Sequence, residues 1–121
     1  MNIFSIRNKS VDKGKTEPCV TPEDLEDCIV SCYFFTAANG ICDEERENGR
    51  PEAILEESLN LLTFCVLVLR NGFTVTGESA CVSSENFDAD IGKQIARENA
   101  KQKLWPLLGY NLRQELYEGT L

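Results

Sequence analysis

Asn71-Gly72 sits between two runs of strand-forming residues, and that pair limits the fold more than any other feature of the chain. Asn-Gly flanked by apolar runs is a strong short-range hairpin signal. Both residues tolerate the positive φ angles of a two-residue turn. Such a turn sets Arg70 opposite Phe73, Val68 opposite Val75, Val66 opposite Gly77 and Phe64 opposite Ser79 on one face. Leu69 then pairs with Thr74, Leu67 with Thr76 and Cys65 with Glu78 on the other. The first strand is apolar on both sides, which predicts a central or covered position. Periodicity alone also admits one helix over residues 52–69. The β-branched Thr63, Val66 and Val68, with the specific turn, favour the hairpin.

A hairpin alone is marginal in water, so residues 88–105 are expected to cover it as a helix. Ser83, Ser84 and Asn86 suit an N-cap, and Asp88 and Asp90 suit the positive end of the helix dipole. Phe87, Ile91 and Ile95 form one stripe, which Trp105 rejoins. Gly92, Ala96 and Ala100 form a second stripe at a spacing of four. A mid-helix glycine costs about 1 kcal/mol relative to alanine, a cost that close backbone approach to the ribbon explains. Gly77 likewise marks a bulge or a close approach in its strand. Pro106 and Gly109 are expected to stop this helix, leaving a short terminal helix over residues 110–117.

Toward the N-terminus, residues 1–20 show no periodicity and predict a flexible arm, with a weak strand signal over residues 2–6. Residues 21–121 are expected to form a single domain. Thr21-Pro22-Glu23-Asp24 is a helix start: a cap, a first-turn proline and two acids. Leu25, Cys28, Ile29, Cys32 and Tyr33 recur at helical spacing, with Phe34 and Phe35 completing the buried end. Asn39-Gly40 then reads as a stop. Residues 41–51, with Asp43, Glu44, Glu45 and Glu47, read as an exposed loop. Pro51 opens a helix through Ile54, Leu55 and Ser58.

Charge narrows the partners. The net charge is −8, and residues 1–20 carry four basic and two acidic side chains. The remainder therefore carries eight basic and eighteen acidic ones, a net of −10. Such a surface argues against direct nucleic-acid binding, which needs clustered Lys and Arg, and suits a basic protein surface. No run of about 20 apolar residues is present, so no membrane span is expected. No apolar signal region opens the chain, so its six cysteines are expected to be reduced thiols.

The chain has no histidine, which removes the commonest general base and metal ligand. Ser-His and Cys-His nucleophilic arrangements are therefore excluded within one chain, and no enzyme activity is expected. Cys28 and Cys32 on one helix face, flanked by Cys19 and Cys42, raise the idea of thiolate zinc. The spacing does not match a zinc motif, so buried apolar cysteines are the favoured reading and no cofactor or metal is expected. The 43–47 acids lack a calcium loop's alternating ligands. Ser79, Lys93 and Arg97 are candidate ligand-binding residues for a small anion, against the plainer reading of a solvated helix face. Trp105 and Tyr110 are candidate interface anchors, against a core role.

A family resemblance rests on Leu69-Arg70-Asn71-Gly72-Phe73-Thr74-Val75-Thr76-Gly77-Glu78-Ser79-Ala80-Cys81 and Asn86-Phe87-Asp88. It continues through Ile91-Gly92, Ile95-Ala96-Arg97-Glu98-Asn99-Ala100 and Leu104-Trp105-Pro106-Leu107-Leu108-Gly109-Tyr110. In that order these motifs resemble a family of small tailed-phage proteins named after gene products forty-nine and sixty-six of phages N-four and Sf-six. The resemblance spans residues 20–116, with an acid-rich insertion at 43–48. Leu108 stands where such proteins often carry Glu, so no carboxylate role transfers there. The resemblance implies a phage origin and the cytoplasm of an infected bacterial host, and it assigns no activity.

Together these readings predict an α+β fold: an N-terminal helix, a β-hairpin around Asn71-Gly72, a long C-terminal covering helix and a short terminal helix. Two strands make a poor sheet, so a homodimer pairing or stacking its hairpins is expected. The expected function is that of a phage accessory protein that binds and blocks a host protein, a form of host defence evasion. The alternative is an oligomeric sponge for a small nucleotide signal of host defence.

Overall fold

The computed structural model describes residues 18–47 and 57–120. The chain runs α1 (Pro22–Cys28), β1 (Ile29–Thr36), α2 (Ala37–Glu47), α3 (Glu57–Asn60), β2 (Leu62–Leu69), β3 (Thr74–Ala80), α4 (Ala89–Gln102) and α5 (Leu104–Glu118), with a 3₁₀ turn at Ser84–Asn86. The three strands form one antiparallel sheet in the order β1-β2-β3. The architecture is α+β, with the hairpin and the covering helix where the sequence places them.

The first helix is shorter than its periodicity predicts. Thr21 and Asp24 form a reciprocal capping box, with the Thr21 N–H donating to Asp24 Oδ2 at 2.8 Å and the Asp24 N–H to Thr21 Oγ1 at 3.2 Å. Helix α1 ends at Cys28, and Ile29–Thr36 is a strand. This segment is rich in β-branched and aromatic residues, which pack better on a pleated surface than on a helix. Its alternation is period two: Cys32, Phe34 and Thr36 share a face with Leu67, Cys65 and Thr63, while Tyr33 and Phe35 point the other way. The helical spacing of Cys28, Ile29, Cys32 and Tyr33 is coincidental.

Strand β2 is the central strand, paired with β1 on one edge and β3 on the other, the position predicted for a strand apolar on both sides. The sheet is three-stranded within one chain, so it needs no second copy to complete it.

The turn differs from expectation by one residue. The Gly72 N–H donates to the Leu69 carbonyl and the Leu69 N–H to the Phe73 carbonyl, both at 2.9 Å. Gly72 has φ of 87°, and no other residue type among those described has a positive φ. Arg70, Asn71 and Gly72 thus form a three-residue loop with a left-handed glycine, in place of a two-residue turn. Asn71 Oδ1 accepts from the Phe73 N–H at 3.0 Å. Val68 therefore pairs with Thr74, Leu67 with Val75 and Cys65 with Gly77. A one-residue slip changes which side chains share a face. Val75 and Gly77 join Cys65, Leu67 and Leu69 on the covered side.

Asn39-Gly40 does not stop a helix. The Thr36 N–H and hydroxyl both donate to Asn39 Oδ1 at 2.9 Å, and the Asn39 N–H donates to Thr36 Oγ1 at 3.3 Å. Asn39 therefore serves the start of α2, which runs on to Glu47 where a loop is expected. The weak strand at 2–6, most of the arm and the first part of the Pro51 helix lie outside the described residues.

Helix α4 begins where Asp88 Oδ1 accepts from the Asp90 and Ile91 N–H groups at 2.9 and 3.2 Å. Its Gly92, Ala96 and Ala100 face the sheet and are buried, while Ile91 and Ile95 stay about half exposed. A Cβ on Gly77 would collide with the Ala96 carbonyl oxygen and the Ala100 backbone nitrogen. The helix thus lies on the strand at backbone contact. Beside this contact, Asn99 Nδ2 donates to the Glu78 carbonyl at 2.8 Å.

Pro106 does not end the helical region. The helix is interrupted at Lys103, and Pro106 falls in the first turn of α5, where its missing donor does no harm. Gly109 is inside α5, which is longer than the expected 110–117 segment. Leu104, Leu108 and Leu112 line its buried side and close the core with Leu25, Cys28, Cys65, Leu67 and Leu69.

Candidate functional site

Among the described residues, one face of the sheet is covered by α4, and the other presents an apolar strip from β1 and β2 bordered by polar residues of β3. Strand alternation directs Leu62, Phe64, Val66 and Val68 of β2 to this second face. Cross-strand rows are Tyr33–Val66–Thr76, Phe35–Phe64–Glu78 and Ser31–Val68–Thr74. Tyr33 is 60% exposed and Phe35 41% exposed. The Phe35 and Phe64 rings stack with centroids 5.4 Å apart. Glu78 is the single carboxylate on these rows. Isolated exposed apolar residues are ordinary, but a contiguous patch with a polar rim marks an interaction surface.

Sequence reasoning missed this face because it put residues 29–35 on a helix. The signal was the double-sided hydrophobicity of β2, which suits a central strand and so a second neighbour besides β3.

The two flanks of α4 separate the predicted ligand-binding residues. On the β1 flank, Arg97 grips Glu26 with both terminal nitrogens, at 3.0 and 2.9 Å. Lys101 Nζ reaches the same carboxylate at 2.9 Å. Hydrogen bonds from Arg97 and then Lys101 hold the Glu26 carboxyl down at about 2, and the same contacts raise both cations above their ordinary values. Lys93 Nζ lies 5.8 Å from the centre of the Phe34 ring, within cation–π range. Ser79 lies on the β3 flank instead, in a groove of about 160 Å³ lined also by Cys81, Phe87, Ile91 and Ile95. Helix α4 thus stands between Ser79 and the two cations within one chain.

Trp105 is half-buried against the core, whereas Tyr110 is 73% exposed. Five residues apart, they point roughly 140° from each other around the helix. Tyr110 instead shares a stripe of exposed side chains with Leu107 and Tyr117.

The cysteines are distributed by the strand. Cys28 ends α1 while Cys32 lies within β1, so the two do not share a helix face. Burial raises the Cys28 thiol and pushes the Cys65 thiol up to about 12. Among the described residues no group of three or more His, Cys, Asp or Glu gathers as a metal site. No helix among them is long and apolar enough to cross a membrane.

Residues 20–116 match the family described as Phage protein (N4 Gp49/phage Sf6 gene 66). No curated protein and no solved structure matches the chain.

Proposed function

We propose that this chain, which belongs to the Phage protein (N4 Gp49/phage Sf6 gene 66) family, acts in the cytoplasm of the infected bacterium by binding and blocking a host protein, as a means of evading host defence. The open apolar face around Tyr33, Phe35, Phe64 and Val66 carries this reading. Its aromatic residues are the type enriched at binding hot spots. The net charge of −8 favours a basic partner and speeds the encounter with one. From strand spacing and rise the face measures roughly 14 by 25 Å. That is the size of an interface core, with the polar rim of a full contact drawn from the surrounding loops.

The test uses tagged protein in host lysate at low and high salt. Tyr33→Glu and Val66→Glu should abolish capture of a specific protein, while Ile95→Glu, on the far side of the sheet, should leave it. Equal capture by all variants, or none under either condition, would refute the reading. A second copy is a competing occupant of the same face. Light scattering of the wild type beside Tyr33→Glu separates the two, because a homodimer held by this face would dissociate.

The alternative of a nucleotide sponge would have to build its site between copies. The groove beside Ser79 is smaller than the roughly 300–1,000 Å³ of typical small-molecule sites, and Lys93 and Arg97 are on the other flank. Absence of a thermal shift with cyclic nucleotides would remove that reading.

A further inference from the structure

The thiols of Cys32 and Cys65 touch, with their sulfurs 3.6 Å apart. They come from adjacent strands on the covered side of the sheet, where Cys32 opposes Leu67 and Cys65 opposes Phe34. Cys65 has no exposed surface, whereas Cys32 is half-buried. The docking face on the other side of the sheet uses neither sulfur.

We propose that Cys32 and Cys65 form a modification site at which hydrogen peroxide, or another hydroperoxide, writes an intramolecular disulfide joining β1 to β2. Cys32 meets the oxidant, because it reaches solvent whereas Cys65 has no exposed surface. The fully buried Cys65 is the resolving sulfur. In the first step the Cys32 thiolate attacks one peroxide oxygen and the O–O bond breaks. Cys32 becomes a sulfenic acid, and the departing hydroxide takes up the proton that the thiol released. In the second step the Cys65 sulfur attacks the Cys32 sulfur and the S–O bond breaks. The leaving hydroxyl collects the Cys65 proton and departs as water. Two thiols and one hydrogen peroxide thus yield one disulfide and two waters, with the sulfur pair giving up two electrons.

The bond would close the chain from Tyr33 to Phe64 into a ring. It would also fix the β1 half of the docking face, Tyr33 and Phe35, against the β2 half, Phe64 and Val66. Cys42 and Cys81 are also half-buried, and the Cys81 thiol is turned onto the Ser83 carbonyl at 3.1 Å. Among the described residues, the sulfurs that meet are those of Cys32 and Cys65.

The test treats the reduced full chain with stoichiometric hydrogen peroxide, alkylates remaining thiols and maps the peptides. The expected product has lost the mass of two hydrogen atoms, carries a Cys32–Cys65 link and reverts with dithiothreitol. Its Tm should rise by about 15 °C, as expected for a link closing a loop of this length. In Cys65→Ala a sulfenic-acid reagent should label Cys32. Oxidation at the other cysteines while Cys32 and Cys65 remain alkylatable would overturn the proposal, as would a link only between chains. If Cys65→Ala fails to fold, the wild-type peptide map alone decides.

Discussion

Gly77 lies directly beneath the turn of α4 that ends at Ala100, so close that a side chain on the glycine would enter the helix backbone. The obstacles are the Ala96 carbonyl oxygen and the Ala100 nitrogen, neither of which can swing aside as a side chain can. Overpacking a tight core costs about 1–3 kcal/mol, and Gly77→Ala should sit at or above the upper end. Denaturant unfolding checks this. A loss below about 0.5 kcal/mol would mean that α4 does not rest on β3 as described.

The two faces of β2 should respond differently to mutation. Leu67 is fully buried under α4, and Leu67→Ala should cost about 2–5 kcal/mol. Tyr33→Ser, on the open face, should change stability by about 1 kcal/mol or less and should raise solubility. Urea midpoints and sedimentation of the two variants supply the comparison.

The Glu26 cluster predicts an acid response. The folded carboxyl lies at about 2, below its ordinary value of 4.5. Its contribution is therefore fully present above about pH 4.5 and is withdrawn as the pH falls through about 2. The Glu26 side chain is 45% exposed, so solvent screening keeps the contribution within about 1 kcal/mol. Glu26→Gln should flatten the stability profile over that window, and wild type in high salt should move toward it. Thermal melts between pH 2 and pH 7 show whether the two profiles converge.

The hairpin loop gives a sharper local test. Gly72 has φ of 87°, a conformation that costs a side-chain-bearing residue about 1–2 kcal/mol. Gly72→Ala should lose about that much. Gly72→Asn should recover part of it, since Asn enters this region more readily. Equal stability for all three would contradict the three-residue loop.

Local chemistry was legible wherever the determinants lie close in sequence. The cap at Thr21, the acids at Asp88 and Asp90, and the reversal at Asn71-Gly72 announce themselves through nearby backbone groups. The small-residue stripe Gly92–Ala96–Ala100 also predicted its own burial against the ribbon. What failed depended on partners distant in the chain. The 29–36 segment satisfies helical and strand spacing alike, and β2 decides between them by offering an edge. Asn39 is a stop in isolation and an N-terminal partner once Thr36 precedes it in a strand. The hairpin slipped by one residue because Arg70 joins the loop, and the loop's length decides which residues share a side. Ser79 stands apart from Lys93 and Arg97 because its strand passes along one flank of α4 while both cations project from the other. Pro106 belonged to a new start, since its position relative to Lys103 matters more than its identity.

Asn99 has one more consequence. Its side-chain amide occupies the Glu78 carbonyl at the outer margin of β3. An extended chain arriving alongside that margin would find one acceptor already taken, and α4 overhanging the next residues. Lateral growth into filaments, the common hazard of an exposed strand, is thereby discouraged on this side.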